Sequence, residues 1–508
     1  MKLSRLLKSV SHLSKGITSP QGSSFDPEIT SVHYNSKDVK TGGLFVAIKG
    51  LTADGHNYIE DAVKRGAIAV IAETALTIAN ADVCIVTDSR KALAAVASEF
   101  YRNPSSGMHI IGITGTNGKT TTSYLIESIL VHEGFKPGVI GTVNYRYGNH
   151  EFPNPMTTPE SLDLQRILFE MKKNGVTHVV MEISSHAIDL ERVYNCSVDT
   201  AVFTNLTQDH LDYHKTMDAY WDCKKRLFTE FLPRSEKRDS LSAVINCGNR
   251  YGKELRDLID YRVLSFGDND SEIKAMDTVI TINGINACIN TPKGDLEITT
   301  PAIGVHNLEN ILNAVGATIA AGASLTSIKS GIEKFNVPGR LEKIENGKGV
   351  AVFVDYAHTP DALENVLKTI EPLTPGRVIC VFGCGGDRDN SKRSIMGSIA
   401  EKYSNLAIVT SDNPRTELPE NIIEGVLGGM STALFNKGPE AFKLENGIRN
   451  HRVEIDRHKA ILYAISASQS GDSVLIAGKG HETYQITNTG TIDFDDREEA
   501  REAFKQND

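Results

Sequence analysis

Residues 110–122, Ile-Ile-Gly-Ile-Thr-Gly-Thr-Asn-Gly-Lys-Thr-Thr-Thr, contain the groups needed to hold a phosphate. An apolar strand-like run empties into a loop, Gly115-Thr116-Asn117-Gly118, followed by Lys119, Thr120, Thr121 and an apolar helical stretch from Tyr124 to Leu130. Glycines let backbone N–H groups approach an anion, and the N-terminus of the next helix adds its dipole. In such loops the lysine reaches the terminal phosphates and the following hydroxyl sits where magnesium is held; Lys119 and Thr120 occupy those places. The general pattern asks for a glycine five residues before Gly118, where Ile113 stands. A plain glycine turn is the alternative.

Further polar groups follow strand-like runs. Glu182 closes Val-Val-Met-Glu and precedes Ser184, Ser185 and His186. A carboxylate at a strand end is a magnesium ligand or water-positioning group, or simply a surface charge. Two histidines and two aspartates fall between Asp209 and His214. They suit a metal ligand, a helix cap or a substrate contact, with His210 the candidate ligand; catalytic zinc would want a different set. Lys224 and Lys225 begin Cys-Lys-Lys-Arg-Leu-Phe, either a solvated helix face or a lysine turned toward the metal site.

These groups need a scaffold, and the chain supplies apolar β-branched runs alternating with helical patterns, the signature of α/β architecture. Strands are predicted at 44–48, 67–72 and 83–86, with a helix over 90–101. More follow at 177–183 and 200–204, then at 350–355, 377–382, 406–410 and 473–477. Residues 278–300 read as an antiparallel hairpin with Asn283-Gly284 at its turn. Breaks at Asn103–Gly107 and Asn336–Arg340 predict three domains: 1–105, 106–336 and 337–508. Gly383, Gly385 and Gly386 do not form a dinucleotide fingerprint.

The net charge of −10 argues against a general nucleic-acid or anionic-membrane binder. No apolar run approaches the roughly 20 residues of a membrane span. The basic N-terminus lacks the features of a signal peptide, and Leu3, Leu6, Leu7 and Val10 fit a short amphipathic helix. Seven scattered cysteines without Cys-x-x-Cys suggest reduced thiols in a cytoplasm and no zinc site.

Several motifs together resemble the Mur ligases, the ATP-dependent amide-forming enzymes of peptidoglycan precursor synthesis. They are Gly115–Thr122, Met181-Glu-Ile-Ser-Ser-His186, Thr204–His214, His306-Asn-Leu-Glu-Asn310, Pro338-Gly-Arg-Leu-Glu342, Asp355-Tyr-Ala-His-Thr-Pro360, Gly386-Asp-Arg-Asp389, Asp412-Asn-Pro-Arg415 and Ala477-Gly-Lys-Gly-His-Glu482. The likeness runs from about residue 30 to 497 and is greatest to the members that add the third residue of the stem peptide. It implies an N-terminal α/β UDP-binding domain, a central P-loop ATPase-like parallel sheet and a C-terminal Rossmann-like domain. Lys119, Glu182, His210 and Lys224 would be catalytic. Thr120, Glu182, His210 and a carbamoylated Lys224 would hold magnesium, and Gly115 to Thr121 with Asn307, Arg340 and Asp355 would hold ATP. The UDP-N-acetylmuramoyl dipeptide would lie on Ser36, Leu51, Thr52, Ala53, Thr157, Thr158, Ser184, Leu190 and Arg192.

The incoming amino acid would meet Arg388, Asp412, Asn413, Pro414, Arg415, Gly478 and Glu482. Arg415 offers a bidentate fork for a carboxylate, which favours meso-diaminopimelate over lysine. A monomer is expected. The sequence departs from the family at Asn35-Ser36-Lys37, where Asp-Ser-Arg is usual, at Met156, usually Asn, and at Leu190, Gln in some members. Folylpolyglutamate synthase and a dead, nucleotide-sensing ligase are the rivals. The first would follow Gly-Thr-Asn-Gly-Lys with Gly-Ser, and the second would have lost the four catalytic residues.

Overall fold

The computed structural model describes residues 1–18, 26–50, 53–235, 237, 240–431 and 449–506. They form two compact units. The first comprises Met1–Lys274, Ile289–Leu296 and Glu309–Ile332; the second comprises Ala275–Cys288, Glu297–Leu308 and Glu333–Asp508.

The first unit opens with the predicted amphipathic helix, Leu3–Ser9, whose Leu3 and Leu6 are buried. A five-stranded sheet follows: β1 (Ser14–Thr18), β2 (Ser31–His33), β3 (Gly43–Val46), β4 (Ala67–Ala72) and β5 (Asp82–Val86), in the order β1-β5-β4-β3-β2. Only β1 runs antiparallel to its neighbour. The helix Ser89–Phe100 covers one face, with its N-terminus capped by the Asp88 carboxylate on the N–H groups of Arg90 and Lys91.

The second sheet of this unit holds β6 (His109–Thr114), β7 (Pro137–Ile140), β8 (Asn144–Tyr147), β9 (His150–Pro153), β10 (His178–Glu182), β11 (Thr200–Phe203), β12 (Ser242–Asn246) and β13 (Arg262–Phe266). Their order is β13-β12-β11-β6-β10-β7-β8-β9, parallel except at β8 and β9. Parallel strands covered on both faces read as continuous apolar runs, and Ile110, Ile111 and Ile113 of β6 are fully buried. Each such side chain contributes about 1.5–3 kcal/mol. β6 lies between β10 and β11, so three strand ends deliver their polar residues to one edge, where open α/β sheets bind ligands.

The range predicted as one hairpin, 278–300, reaches into three strands, not two, of a three-stranded sheet: β14 (Lys274–Thr281), β15 (Gly284–Thr291) and β16 (Gly294–Thr300). Asn283 does lie in its first turn, donating its N–H to Thr281 Oγ1 at 3.2 Å. The second unit carries β17 (Glu342–Ile344), β18 (Ala351–Asp355), β19 (Val378–Phe382), β20 (Leu406–Val409), β21 (Asn450–Val453) and β22 (Ser473–Ala477), in the order β17-β18-β22-β19-β20-β21. A small antiparallel hairpin, β23 (Tyr484–Thr487) and β24 (Gly490–Asp493), follows. The glycines after β19 serve close approach of two loops: a Cβ on Gly386 would fall 2.0 Å from the Pro414 carbonyl oxygen.

Candidate active site

The loop after β6 is a glycine-dependent turn. Gly115 has φ +147° and a Cβ there would fall 1.9 Å from Thr204 Oγ1; Gly118 has φ +84° and would meet Asn310 Oδ1 at 2.2 Å. Gly118 is the N-cap of the helix Lys119–His132. Ile113, the departure from the general pattern, pairs with Glu182 inside the sheet. The strand runs further here before the loop begins, so its first turn falls at Gly115.

The end of β11 braces this loop. Asn205 takes the Thr116 N–H on its carbonyl oxygen at 2.9 Å and the Asn117 N–H on Oδ1 at 2.9 Å. Thr204 Oγ1 donates to the Asn117 carbonyl oxygen at 2.6 Å, and the Thr207 N–H donates to Thr116 Oγ1 at 3.0 Å.

Glu182, buried at the end of β10, accepts from Thr120 Oγ1 at 3.1 Å. It also takes the Thr142 N–H at 3.2 Å and the Thr142 hydroxyl at 2.9 Å. Thr142 is a residue the sequence reading missed; its signal was a Gly-Thr pair just beyond an apolar run ending at Ile140. Gly141 is needed there because its Cβ would lie 2.4 Å from Glu182 Oε1.

Lys224 lies on the helix Met217–Arg226 together with buried Tyr220, Trp221 and Cys223. It is only 1% exposed. Its Nζ donates to the Gly115 carbonyl oxygen at 2.9 Å, and Lys119 Nζ donates to the same oxygen at 3.0 Å. Burial, with Lys119 adding repulsion, pushes the Lys224 ammonium well below the usual lysine range. His210 sits in left-handed backbone, φ +52°, at the N-cap of Leu211–His214. Its imidazole is edge-on to His186 at 5.0 Å, and burial then the two lysines hold its pKa down. Thr121 is partly buried in the first helical turn.

Around this centre the candidate sugar-peptide residues are connected. Thr158 Oγ1 donates to the Glu182 carbonyl oxygen at 2.9 Å, and Thr157 and Thr142 hydroxyls lie 3.1 Å apart. Ser184 Oγ caps its helix on the Ala187 N–H at 3.2 Å. Arg192 Nη1 donates to the Thr158 carbonyl oxygen at 3.1 Å while its Nε lies 3.5 Å from Glu160. Leu190 is the C-cap of Ser185–Asp189. Its carbonyl oxygen faces Arg90 Nη1 at 3.5 Å. Ser36 is buried, and Asn35 Oδ1 caps the turn on the Lys37 N–H at 3.2 Å. Asn caps as well as Asp, so this departure preserves the turn. Ala53 is exposed; Leu51 and Thr52 lie outside the described residues.

In the second unit, Asp355 ends β18 and accepts the N–H groups of Leu341 and Ala357 at 2.7 and 2.8 Å. Burial raises its pKa and the Arg340 guanidinium opposes the rise. Arg340 lies over the Tyr356 ring at 4.9 Å, and its buried Nε has no hydrogen-bond partner among the described residues. Asn307 is buried and donates to the Ile303 carbonyl oxygen at 2.9 Å. Arg415, in left-handed backbone at φ +54°, donates through Nη1 to the Gly386 carbonyl oxygen at 2.8 Å. Asn413 Nδ2 donates to Glu482 Oε2 at 2.9 Å. Asp412 is buried, which raises its pKa, and a Cβ on Gly478 would come within 2.8 Å of its Oδ2. Pro414 is buried and Arg388 exposed on the facing loop.

Three family models match in sequence: "Mur ligase family, catalytic domain" over 28–101, "Mur ligase middle domain" over 113–318, and "Mur ligase, glutamate ligase domain" over 339–480. The chain belongs to the Mur ligase family. Among Mur ligases it is similar to the UDP-N-acetylmuramoyl-L-alanyl-D-glutamate--2,6-diaminopimelate ligase of Geobacter metallireducens, with 45% identity and 96% of each chain covered. The Geobacter sulfurreducens enzyme of the same name is 46% identical, with 95% of each chain covered. A solved structure of a ligase of that name is 32% identical with TM-score 0.69, covering 94% of this chain and 95% of the other. A Mycobacterium tuberculosis folylpolyglutamate synthase, 18% identical with TM-score 0.58 over 76% of this chain and 92% of its own, shares the fold alone. Among the described residues of this Mur ligase no helix is long and apolar enough to cross a membrane.

Proposed function

We propose that the chain joins meso-2,6-diaminopimelate to UDP-N-acetylmuramoyl-L-alanyl-D-glutamate at the expense of ATP, in cytoplasmic peptidoglycan precursor synthesis. The observation that carries this is the pairing of a carboxylate fork with two carboxylates in one cradle. Arg415 reaches the Gly386 and Asn413 carbonyl oxygens, while Asn413 holds Glu482 and Asp412 lies buried beside Gly478. Diaminopimelate carries both an ammonium and a carboxylate at its far end; lysine lacks the carboxylate. The naming of the relatives points the same way.

In the first step an oxygen of the D-glutamate carboxylate attacks the γ-phosphorus of ATP, and ADP leaves with the bond electrons. The amine of the amino acid then adds to the carbonyl carbon of the acyl phosphate, and inorganic phosphate leaves as the amide forms. Lys119 and the N–H groups at the start of its helix, which are not taken up by Asn205, would neutralise charge on the transferring group. Thr158, Ser184 and Arg192 would hold the muramoyl dipeptide, and Asn307, Arg340 and Asp355 the nucleotide. Positioning reactants in line is worth up to about 7–11 kcal/mol.

Among the described residues no three His, Cys, Asp or Glu side chains form a metal-binding group by themselves. The buried Thr120–Glu182 pair, His210 and a carbamoylated Lys224 nonetheless fit magnesium, whose remaining ligands are phosphate oxygens and water. Bound there, the ion supplies charge neutralisation at the phosphates. The carbamate turns a buried cation with no carboxylate partner among the described residues into an anion suited to that ion. We assign residues 1–105, 106–336 and 337–508 to UDP-sugar, ATP and amino-acid binding, and the active form to a monomer. The test is phosphate release with ATP, magnesium and the UDP-muramoyl dipeptide, adding diaminopimelate or L-lysine in parallel. Release with diaminopimelate alone is expected; release with lysine alone overturns the Arg415 assignment, and silence with both overturns the activity.

A further inference from the structure

Lys479 is fully buried, at 0% exposure. It stands between Gly478 at φ +120° and Gly480 at φ +55°, where a Cβ on Gly480 would fall 2.6 Å from the Tyr356 Cβ. The two glycines let the backbone turn tightly while the lysine points inward. Its Nζ donates to Asn413 Oδ1 at 3.2 Å and to Glu482 Oε2 at 3.3 Å. Asn413 Nδ2 donates to that same Glu482 oxygen at 2.9 Å, closing a triangle. Asn413 Oδ1 also accepts the Ile486 N–H at 2.9 Å, which ties the triangle to β23.

The second acidic neighbour is Asp412, whose Oδ1 lies 3.9 Å from Lys479 Nζ. That oxygen is buried without a hydrogen-bond partner among the described residues. The other buried cation nearby, Arg457, binds Asp496 through two bonds of 2.7 Å and also attracts Asp412, so Asp412, Glu482 and Asp496 face two cations, Lys479 and Arg457. Three carboxylates against two cations leave one negative charge for a ligand ammonium. An unpaired buried carboxylate oxygen is costly, so it marks a place a donor fills on binding.

We propose that Lys479 is a positioning residue that sets the net charge of the amino-acid cradle, and thereby favours an amino acid with both an ammonium and a carboxylate at its far end over a simple diamine. This rests on the proposed diaminopimelate activity. Without the lysine the cradle carries two uncompensated negative charges beside the Arg415 fork. A carboxylate entering it is then repelled, while a bare ammonium is attracted more strongly.

The test measures KM and kcat for diaminopimelate, L-lysine and ATP in the wild-type chain, Lys479→Met and Lys479→Arg. In Lys479→Met the KM for diaminopimelate rises about 10-fold or more, the scale of one charged hydrogen bond, and the KM for ATP stays within about twofold. The ratio of kcat/KM for lysine to that for diaminopimelate rises by a similar factor. Lys479→Arg, which keeps the charge, returns that ratio toward wild type. Equal losses for all three substrates, or an unchanged ratio, overturn the proposal while leaving the ligase reading intact. A wild-type chain that ignores diaminopimelate overturns both. Should Lys479→Met not fold, Lys479→Gln, which keeps a donor and removes the charge, must raise the ratio that Lys479→Arg holds low.

Discussion

Replacing Lys224 with Met separates chemistry from stability. The side chains are similar in length and Lys224 is buried, so the change removes one buried amine and little volume. The variant loses the bond to the Gly115 carbonyl oxygen, a net contribution of about 0.5–1.5 kcal/mol, but that oxygen keeps its bond from Lys119. Against this, the variant no longer buries an amine whose charged form is disfavoured by burial and by Lys119. The folded chain sheds a proton that the unfolded chain retains, so the wild-type contribution from this group rises with pH toward the unfolded pKa of 10.5. Thermal melts in carbon-dioxide-free buffer, where Lys224 is the free amine, should find the variant at least as stable as the wild type near neutral pH, with the gap narrowing as pH rises. Turnover should behave oppositely. Losing a group that organises charge in the transition state costs roughly 10²–10³-fold, and phosphate release should fall by that scale. Wild-type activity should fall after exhaustive removal of carbon dioxide and return with bicarbonate, whereas the variant should not respond. A variant with wild-type turnover, or a wild type indifferent to bicarbonate, would refute the carbamate. A melt several kilocalories per mole worse would refute the charge argument.

Gly118→Ala forces a side chain into φ +84° and against Asn310 Oδ1; strain of about 1–3 kcal/mol should lower the melting temperature and weaken ATP binding measured by calorimetry. Arg415→Ala should raise the KM for diaminopimelate about 10- to 100-fold, as for one or two charged hydrogen bonds, with the KM for ATP little changed; equal effects on both would sink the clamp. His178, stacked on Phe135 at 4.0 Å, has its pKa lowered to about 4 by burial and then by His109. The unfolded chain therefore takes up a proton first as pH falls below 6.5, so stability present above that pH is lost progressively toward about 4. His178→Phe should flatten that limb of the melting curve, and an unchanged limb would place the acid sensitivity elsewhere.

Much of the fold was readable because buried parallel strands announce themselves. β4 and β22 appear at 67–72 and 473–477, where continuous apolar runs end at polar or glycine residues. The antiparallel strands β8 and β9 were not read, since Asn144–Tyr147 and the mostly exposed edge strand His150–Pro153 interleave polar residues with the apolar ones and show no continuous apolar run. The local sequence left the orientation of Lys224 open, and only the family resemblance favoured the inward one. Four charged or polar residues run through Asp222-Cys-Lys-Lys-Arg226, and only the helical register separates buried Lys224 from Lys225, which pairs with Asp222 at 2.7 Å. Lys224 lies four residues from Tyr220, on the same face, with its ammonium 4.7 Å from that ring. The phosphate loop was legible as a motif, but Thr142 and Asn205 act across long sequence separations that local pattern does not encode.

The brace between the ends of β6 and β11 makes those two segments a single cooperative element. The Thr116, Asn117 and Thr207 amides each depend on a partner from the other segment, so local opening of either one exposes all three to exchange with solvent. Nucleotide held on one segment should slow amide exchange on the other, though about ninety positions separate them in the chain. The same dependence limits transplantation: a loop of residues 115–120 grafted alone onto another sheet would collapse, and a working graft must carry Thr204 to Thr207 with it.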